Sequence, residues 1–277
     1  MWDTVAFMLK PFLACLVITG IHAYLGIHVI SREVIFVDIA LAQLAALGAT
    51  VAFLFGHDLQ GAMASLYALG FSFVGAAVFS VTRSREGRVP QEAVIGIVYA
   101  ISAAAAILVI DRAPQGAEHI KSMLVGSILT VSWPEILSAA GLYLVLGGFH
   151  WAFRRPFLQI SFSPGEAQAR GLHIRLWDFL FYASFGVVVT VSVRMAGVLL
   201  VFSYLVVPAV CGVLFSDRLA VRLVLGWALS FLASLLGLSF SYLLDLPTGA
   251  AVVCTFGLVL IGCALVSPFV GRKPRAT

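Results

Sequence analysis

Acids and imidazoles stranded in apolar sequence carry most of the chemistry this chain has to offer. Asp38 stands inside the stretch 34–55, about one helical turn beyond Arg32. A carboxylate there marks either a functional site or an ion network at the membrane interface, because an unpaired charge in hydrocarbon is costly. His22, near the middle of the first apolar stretch, offers an imidazole nitrogen to a divalent ion or packs as a neutral ring between helices. His28 and His150 fall near helix ends, and His173 follows the segment 163–172, positions that favour interfacial roles. Asp111, Glu118 and His119 put ligand chemistry into one loop that a solvated polar loop also explains. Glu92 is expected to pair with Arg83, Arg85 or Arg88, and Asp245 to sit in an exposed turn before Pro247. None of these makes a convincing metal site by spacing alone.

The elements that must hold them are membrane helices. Of 277 residues, 61% are hydrophobic and 11% charged, whereas a soluble domain carries roughly 25% charged residues. Apolar runs lie at 9–30, 34–55, 60–81, 92–110, 134–153, 176–193, 196–215, 222–243 and 247–268, each near the ~20 residues a helix needs to cross hydrocarbon. The fold class is therefore all-α: a polytopic transmembrane helical bundle of about nine spans in one domain, 1–277. The first run is read as a retained span, since Met1-Trp2-Asp3-Thr4 lacks the basic start of a secretory signal.

Basic residues cluster at Arg32, at Arg83, Arg85 and Arg88, at Arg154, Arg155, Arg170 and Arg175, at Arg218 and Arg222, and at Arg272, Lys273 and Arg275. All fall on one side of the alternation, which places the N-terminus outside and the C-terminus in the cytoplasm of a bacterial inner membrane. The long connection from Asp111 to Lys121 then lies outside. Arg194 is the exception, and is expected to snorkel or to face a wet cavity. The net charge of +4 sits in these connections and in no aromatic-interleaved patch, so nucleic acid is not an expected partner. Cys15, Cys211, Cys254 and Cys263 lie in apolar runs and read as small buried hydrophobes. Ala42-x-x-x-Ala46 and Gly141 through Gly147-Gly148 would permit close helix approach.

The segment Ser163, Pro164, Gly165, Glu166, Ala167, Gln168, Ala169, Arg170, Gly171, Leu172 has helix grammar at both ends. Ser163 can cap, Pro164 suits the first turn, Glu166 can close a capping box, and Gly171 can end a helix of about two turns lying on the inner surface. Pro208, well inside a span, removes a backbone hydrogen bond and is expected to kink its helix. No G-x-x-x-x-G-K-[ST] sequence is present to cradle ATP, and H-E-x-x-H and G-x-S-x-G are also missing. Nucleotide hydrolysis by this chain itself is therefore not expected, nor is intramembrane protease or lipase chemistry.

Ser163–Leu172 resembles the cytoplasmic coupling segment of the metal-uptake ABC transporter permeases, the zinc and manganese type of ABC-3 membrane subunit. Four further stretches resemble that family in the same order: Glu92–Val98, Gly126–Trp133, Gly197–Val201 through Pro208-Ala209, and Ser241–Ala250. The resemblance implies a permease homodimer lining a shared pathway, ATPase subunits gripping residues 163–171, an extracytoplasmic solute-binding protein delivering cargo, and import. It implies no tightly bound cofactor, only a transported divalent metal such as zinc, manganese or iron. Asp38 matches a family acid that a histidine follows four residues later. Here that position is Ala42, followed by Gln43, whose amide offers oxygen but no imidazole nitrogen. The pathway residues implied are Asp38, Gln43 and Pro208, with Asp38 and His22 as metal ligands. Permeases for iron chelates or corrinoids share the coupling pattern, though usually in longer chains. An ion-coupled secondary transporter is the other class, which should show inverted repeats and paired deep acids.

Overall fold

Apolar runs bounded by Gly, Pro and charge give helices throughout, and the computed structural model describes residues 2–59, 61–83, 89–110 and 128–270. Arg85, Arg88, Asp111, Glu118, His119, Lys121, Gly126, Ser127, Arg272, Lys273 and Arg275 lie outside the described residues. The helices are α1 (Trp2–Ser31), α2 (Val37–Leu54), α3 (Ala62–Thr82), α4 (Gln91–Ile110), α5 (Trp133–Ala152), α6 (Arg154–Phe162), α7 (Pro164–Ala169), α8 (Ile174–Ala196), α9 (Val198–Phe215), α10 (Leu219–Leu243) and α11 (Thr248–Val270). A 3₁₀ turn at Ile128–Thr130 precedes α5. No strand occurs among the described residues.

Among the described residues eight helices are long and apolar enough to cross a membrane, and α5 with α6 makes a ninth if the pair counts as one span. The two meet at a bend of 75°. The sequence leads to a plain connection after residue 153, but the chain turns into α6 there. Phe157, Ile160 and Ser161 are buried on one side of that helix, the i, i+3, i+4 pattern of an amphipathic surface element.

Helices divide between two compact units. The first comprises Met1–Ile30, Leu124–Leu144 and Arg194–Thr277, and the second Ser31–Met123 and Val145–Val193. In the first unit α9, α10 and α11 pack on one another. A Cβ on Gly26 would stand 2.0 Å from the Leu205 carbonyl oxygen, and one on Gly237 would stand 2.6 Å from Val252 Cα. Backbones therefore approach directly at those two points, where dispersion contacts and weak hydrogen bonds hold helices in lipid. Pro208 is buried, with its Cβ 3.5 Å from the place a Gly226 side chain would begin. The α9 helix runs through it without interruption.

In the second unit α2 packs against α3 and α4. A Cβ at Gly48 would meet the Tyr67 carbonyl oxygen at 2.5 Å. By contrast Gly141, Gly147 and Gly148 have nothing within 4 Å, so the expected close approach is not made there among the described residues. Sequence reports that a residue is small, not which way its face of the helix turns. The same limit applies to cysteine: Cys15, Cys211 and Cys263 are buried free thiols, whereas Cys254 is exposed on α11.

Two short motifs settle the ends of helices. Ser132 and Glu135 form a capping box at the start of α5: the Glu135 carboxylate accepts the Ser132 N–H at 2.8 Å and its hydroxyl at 2.6 Å. The expected box at Ser163 and Glu166 does not form, and Ser163 makes no side-chain cap. Its N–H is already donated to the Gln159 carbonyl at 2.8 Å, ending α6, so no N–H remains for Glu166 to receive.

Candidate functional site

The segment expected to couple is a helix of six residues, α7, and its C-terminal end follows the sequence. Gly171 has φ +71°, the Leu172 N–H donates to Ala167 O at 3.1 Å and the Gly171 N–H donates to Gln168 O at 3.0 Å. That pair of bonds is a Schellman closure, which requires a left-handed residue and favours glycine. Ala167 is fully buried and anchors the helix, while Gly165, Glu166, Gln168, Ala169, Arg170 and Gly171 are exposed. Pro164 occupies the first turn as expected.

Immediately before α7 lies a buried ionic cluster that sequence reasoning missed. Arg32, just past α1, donates from Nη1 to Asp178 Oδ1 at 2.7 Å and from Nε to Ser161 Oγ at 2.8 Å. Arg83, just past α3, donates to the same Asp178 oxygen at 2.6 Å. The Arg32 guanidinium lies 3.9 Å from the centroid of the Phe181 ring. The Arg32 and Asp178 side chains are both inaccessible, and Arg83 is 17% exposed. Burial lowers the pKa of the Arg32 guanidinium from its ordinary value, and the Asp178 charge opposes that shift. Arg32 and Arg83 thus converge on one carboxylate of α8, and Ser161 of α6 holds Arg32 in place. An available signal was Asp178 itself, an acid inside the apolar run 176–193 that demands a cation.

Arg83 is therefore not the partner of Glu92. Glu92 Oε1 instead accepts the N–H of Phe36, the residue capping α2, at 3.0 Å. Asp38 is the second residue of α2 and 2% exposed, in the first turn, where the helix dipole favours a carboxylate. Its Oδ1 meets no hydrogen-bond partner among the described residues. Ala42 shares its face and is buried, but Gln43 is half-buried and stands about 140° round the helix from Asp38 at 100° per residue.

His22, in the first unit, is fully buried. Its Nδ1 lies 2.9 Å from the Ile18 carbonyl oxygen. A carbonyl only accepts, so Nδ1 carries the proton and Nε2 presents a lone pair, the tautomer of many metal-bound histidines. Nε2 meets no partner among the described residues. His28 and His150 stand in the last turns of α1 and α5, as expected, and are buried within the protein. His150 Nε2 lies 2.8 Å from Ser184 Oγ and its ring stacks on Phe157 at 4.4 Å. His173 is exposed, as is Arg194, which occupies the last turn of α8, where a cation complements the dipole. Asp245 is exposed in a left-handed turn (φ +51°) closing α10. Among the described residues no three His, Cys, Asp or Glu side chains gather to hold a metal ion.

The chain is similar to known transport proteins along most of its length. It is 25% identical over 220 residues to the manganese transport system membrane protein MntC of Listeria monocytogenes, covering 76% of this chain and 78% of that one. It is 24% identical over 225 residues to the chelated iron transport system membrane protein YfeC of Yersinia pestis, covering 76% and 74%. Its fold is that of PsaBC from Streptococcus pneumoniae, solved in complex with Fab, with a TM-score of 0.78, 21% identity and coverage of 94% and 93%. Residues 4–267 match the model of the ABC 3 transport family, and the chain belongs to that family.

Proposed function

We propose that this chain is the membrane-spanning permease subunit of an ATP-binding-cassette importer, carrying a divalent metal ion or metal chelate across a bacterial inner membrane. The observation that carries the reading is α7, a short helix closed by Gly171, with Ala167 as its buried anchor and a mostly exposed surface, joined through α6 to a buried ionic cluster. Such an element suits a rigid contact for an ATPase subunit, which supplies the ATP site this sequence lacks. Relatives named for manganese and for chelated iron support a metal cargo.

Under this reading the chain acts as one membrane domain, with its N-terminus outside and its C-terminus in the cytoplasm. It works as a homodimer and receives cargo from an extracytoplasmic solute-binding protein. Asp38 is the pathway residue with the strongest physical case, being a buried carboxylate with an unmet oxygen. Gln43, Pro208 and His22 remain pathway candidates on the sequence argument. Metal is substrate here and not a resident cofactor.

The test is radiotracer uptake by proteoliposomes containing the chain, its ATPase and its binding protein. ATP-dependent uptake of manganese, iron or zinc, lost in Asp38→Ala while the ATPase still binds, is expected. No nucleotide-dependent association with the ATPase would overturn the reading.

A further inference from the structure

We propose, resting on the transport reading and deepening it, that Ser161, Arg32, Asp178 and Arg83 form a relay that carries displacement of α7 to the end of α3. Ser161 and Arg83 are positioning residues in it, since each acts through the Arg32–Asp178 pair.

Backbone hydrogen bonds cross the junction of α6 and α7: the Ser163 N–H donates to Gln159 O at 2.8 Å, and the Ala167 N–H donates to Ser163 O at 3.1 Å. A push on the exposed surface of α7 therefore moves α6 with it. Ser161, near the end of α6, is buried and accepts from Arg32 Nε at 2.8 Å. Arg32 leads through Nη1 to Asp178, whose same oxygen also takes Arg83. Arg83 caps the C-terminal end of α3, and α3 packs along α2, where Gly48 lets the Tyr67 backbone approach directly. Contacts thus run from the surface expected to meet an ATPase to the helix that carries Asp38. All of these residues lie in the second unit.

A relay needs two discrete arrangements, and this cluster has an unused one. Both guanidinium groups crowd onto Asp178 Oδ1, whereas Asp178 Oδ2 and Arg32 Nη2 are buried and meet no hydrogen-bond partner among the described residues. Buried polar atoms without partners demand an explanation. An end-on bidentate pair between Arg32 and Asp178 would satisfy both atoms at once, and it is the stronger geometry for a guanidinium and a carboxylate. Turning the carboxylate to form that pair takes Oδ1 away from Arg83. Arg83 is the member that can leave, because its side chain is 17% exposed and can meet water. Arg32 is inaccessible and held against the Phe181 ring, so it stays. Ser161 fixes the plane of the Arg32 guanidinium through Nε, so a shift of α6 selects between the shared and the bidentate arrangement.

The experiment measures uptake of radiolabelled manganese, iron or zinc per ATP hydrolysed, in proteoliposomes holding the chain, its ATPase and its binding protein. Ser161→Ala unlinks α6 from Arg32 and should lower that ratio by about fivefold or more, the lower end of ordinary coupling between sites. Ser161→Thr keeps the hydroxyl and should restore most of the ratio. Arg83→Gln should lower the ratio with little change in melting temperature, its side chain being partly exposed, and Arg83→Lys should recover part of the loss. Because both residues serve one relay, the double variant Ser161→Ala, Arg83→Gln should fall no further than the worse single. An unchanged ratio in Ser161→Ala or Arg83→Gln, or losses that multiply in the double variant, as for a cluster that only holds helices together, overturns the relay. ATP-driven uptake by the parent in that case leaves the transport function standing, whereas a parent complex that takes up none of the three metals removes function and relay together.

Discussion

Replacing Asp178 with alanine should be the most damaging change in the ionic cluster, and the structure sets the order of the other substitutions. Asp178 Oδ1 receives both Arg32 and Arg83. Without it, Arg83, already 17% exposed, turns to solvent at a cost of less than about 1 kcal/mol, as for exposed ion pairs. Arg32 is inaccessible and held by Ser161 and Phe181, so it is left as an uncompensated buried charge. Stranding a buried ion in that way costs about 3–5 kcal/mol. Arg32→Ala leaves Asp178 still paired with Arg83 and loses charged hydrogen bonds, for about 1.5–3 kcal/mol.

The double variant Arg32→Ala, Asp178→Ala strands nothing. It should therefore be less destabilised than the sum of the singles by about 1–3 kcal/mol. The assay is unfolding of the purified chain from bicelles, run as a double-mutant cycle, with Arg83→Ala as the mild control. Additivity within about 0.5 kcal/mol would refute the reasoning, as would an Arg83→Ala effect equal to that of Asp178→Ala.

Other expectations follow from single contacts. Gly48→Ala drives a methyl into the Tyr67 carbonyl and should cost about 1–3 kcal/mol in the same unfolding assay, whereas Gly141→Ala meets open space and should stabilise its helix by up to about 1 kcal/mol. Gly171→Ala must hold φ near +71° and should loosen the end of α7 by about 1–2 kcal/mol. Its readout is ATP-dependent uptake per ATP hydrolysed by the reconstituted complex, with Gly171→Asn retaining more than Gly171→Ala. Gln43→His should leave metal preference in uptake unchanged, because position 43 does not share the face of Asp38. A shift toward zinc in that variant would contradict the helical geometry.

Sequence alone determined what depends on solvent and on local backbone chemistry. Length and apolarity of the runs placed the spans, because a continuous apolar run of about 20 residues satisfies its own backbone groups in hydrocarbon as a helix. Pro164 and Gly171 were legible at α7, because a proline in a first turn and a glycine in a left-handed closure are requirements of the backbone itself. Asp38 was legible because a carboxylate in an apolar run always needs an explanation.

Tertiary structure decided the rest, since it depends on which groups meet across long separations in the chain. Ser132 and Ser163 carry the same Ser-x-x-Glu pattern, yet only the first forms a capping box, because α6 has already taken the N–H of Ser163. Arg83 and Glu92 are close in sequence, but their partners are Asp178 and Phe36. Gly26 and Gly141 are the same residue in the same kind of helix, yet one touches another backbone and the other faces open space. Spacing along a helix names a face. Only the packing of helices says what that face meets.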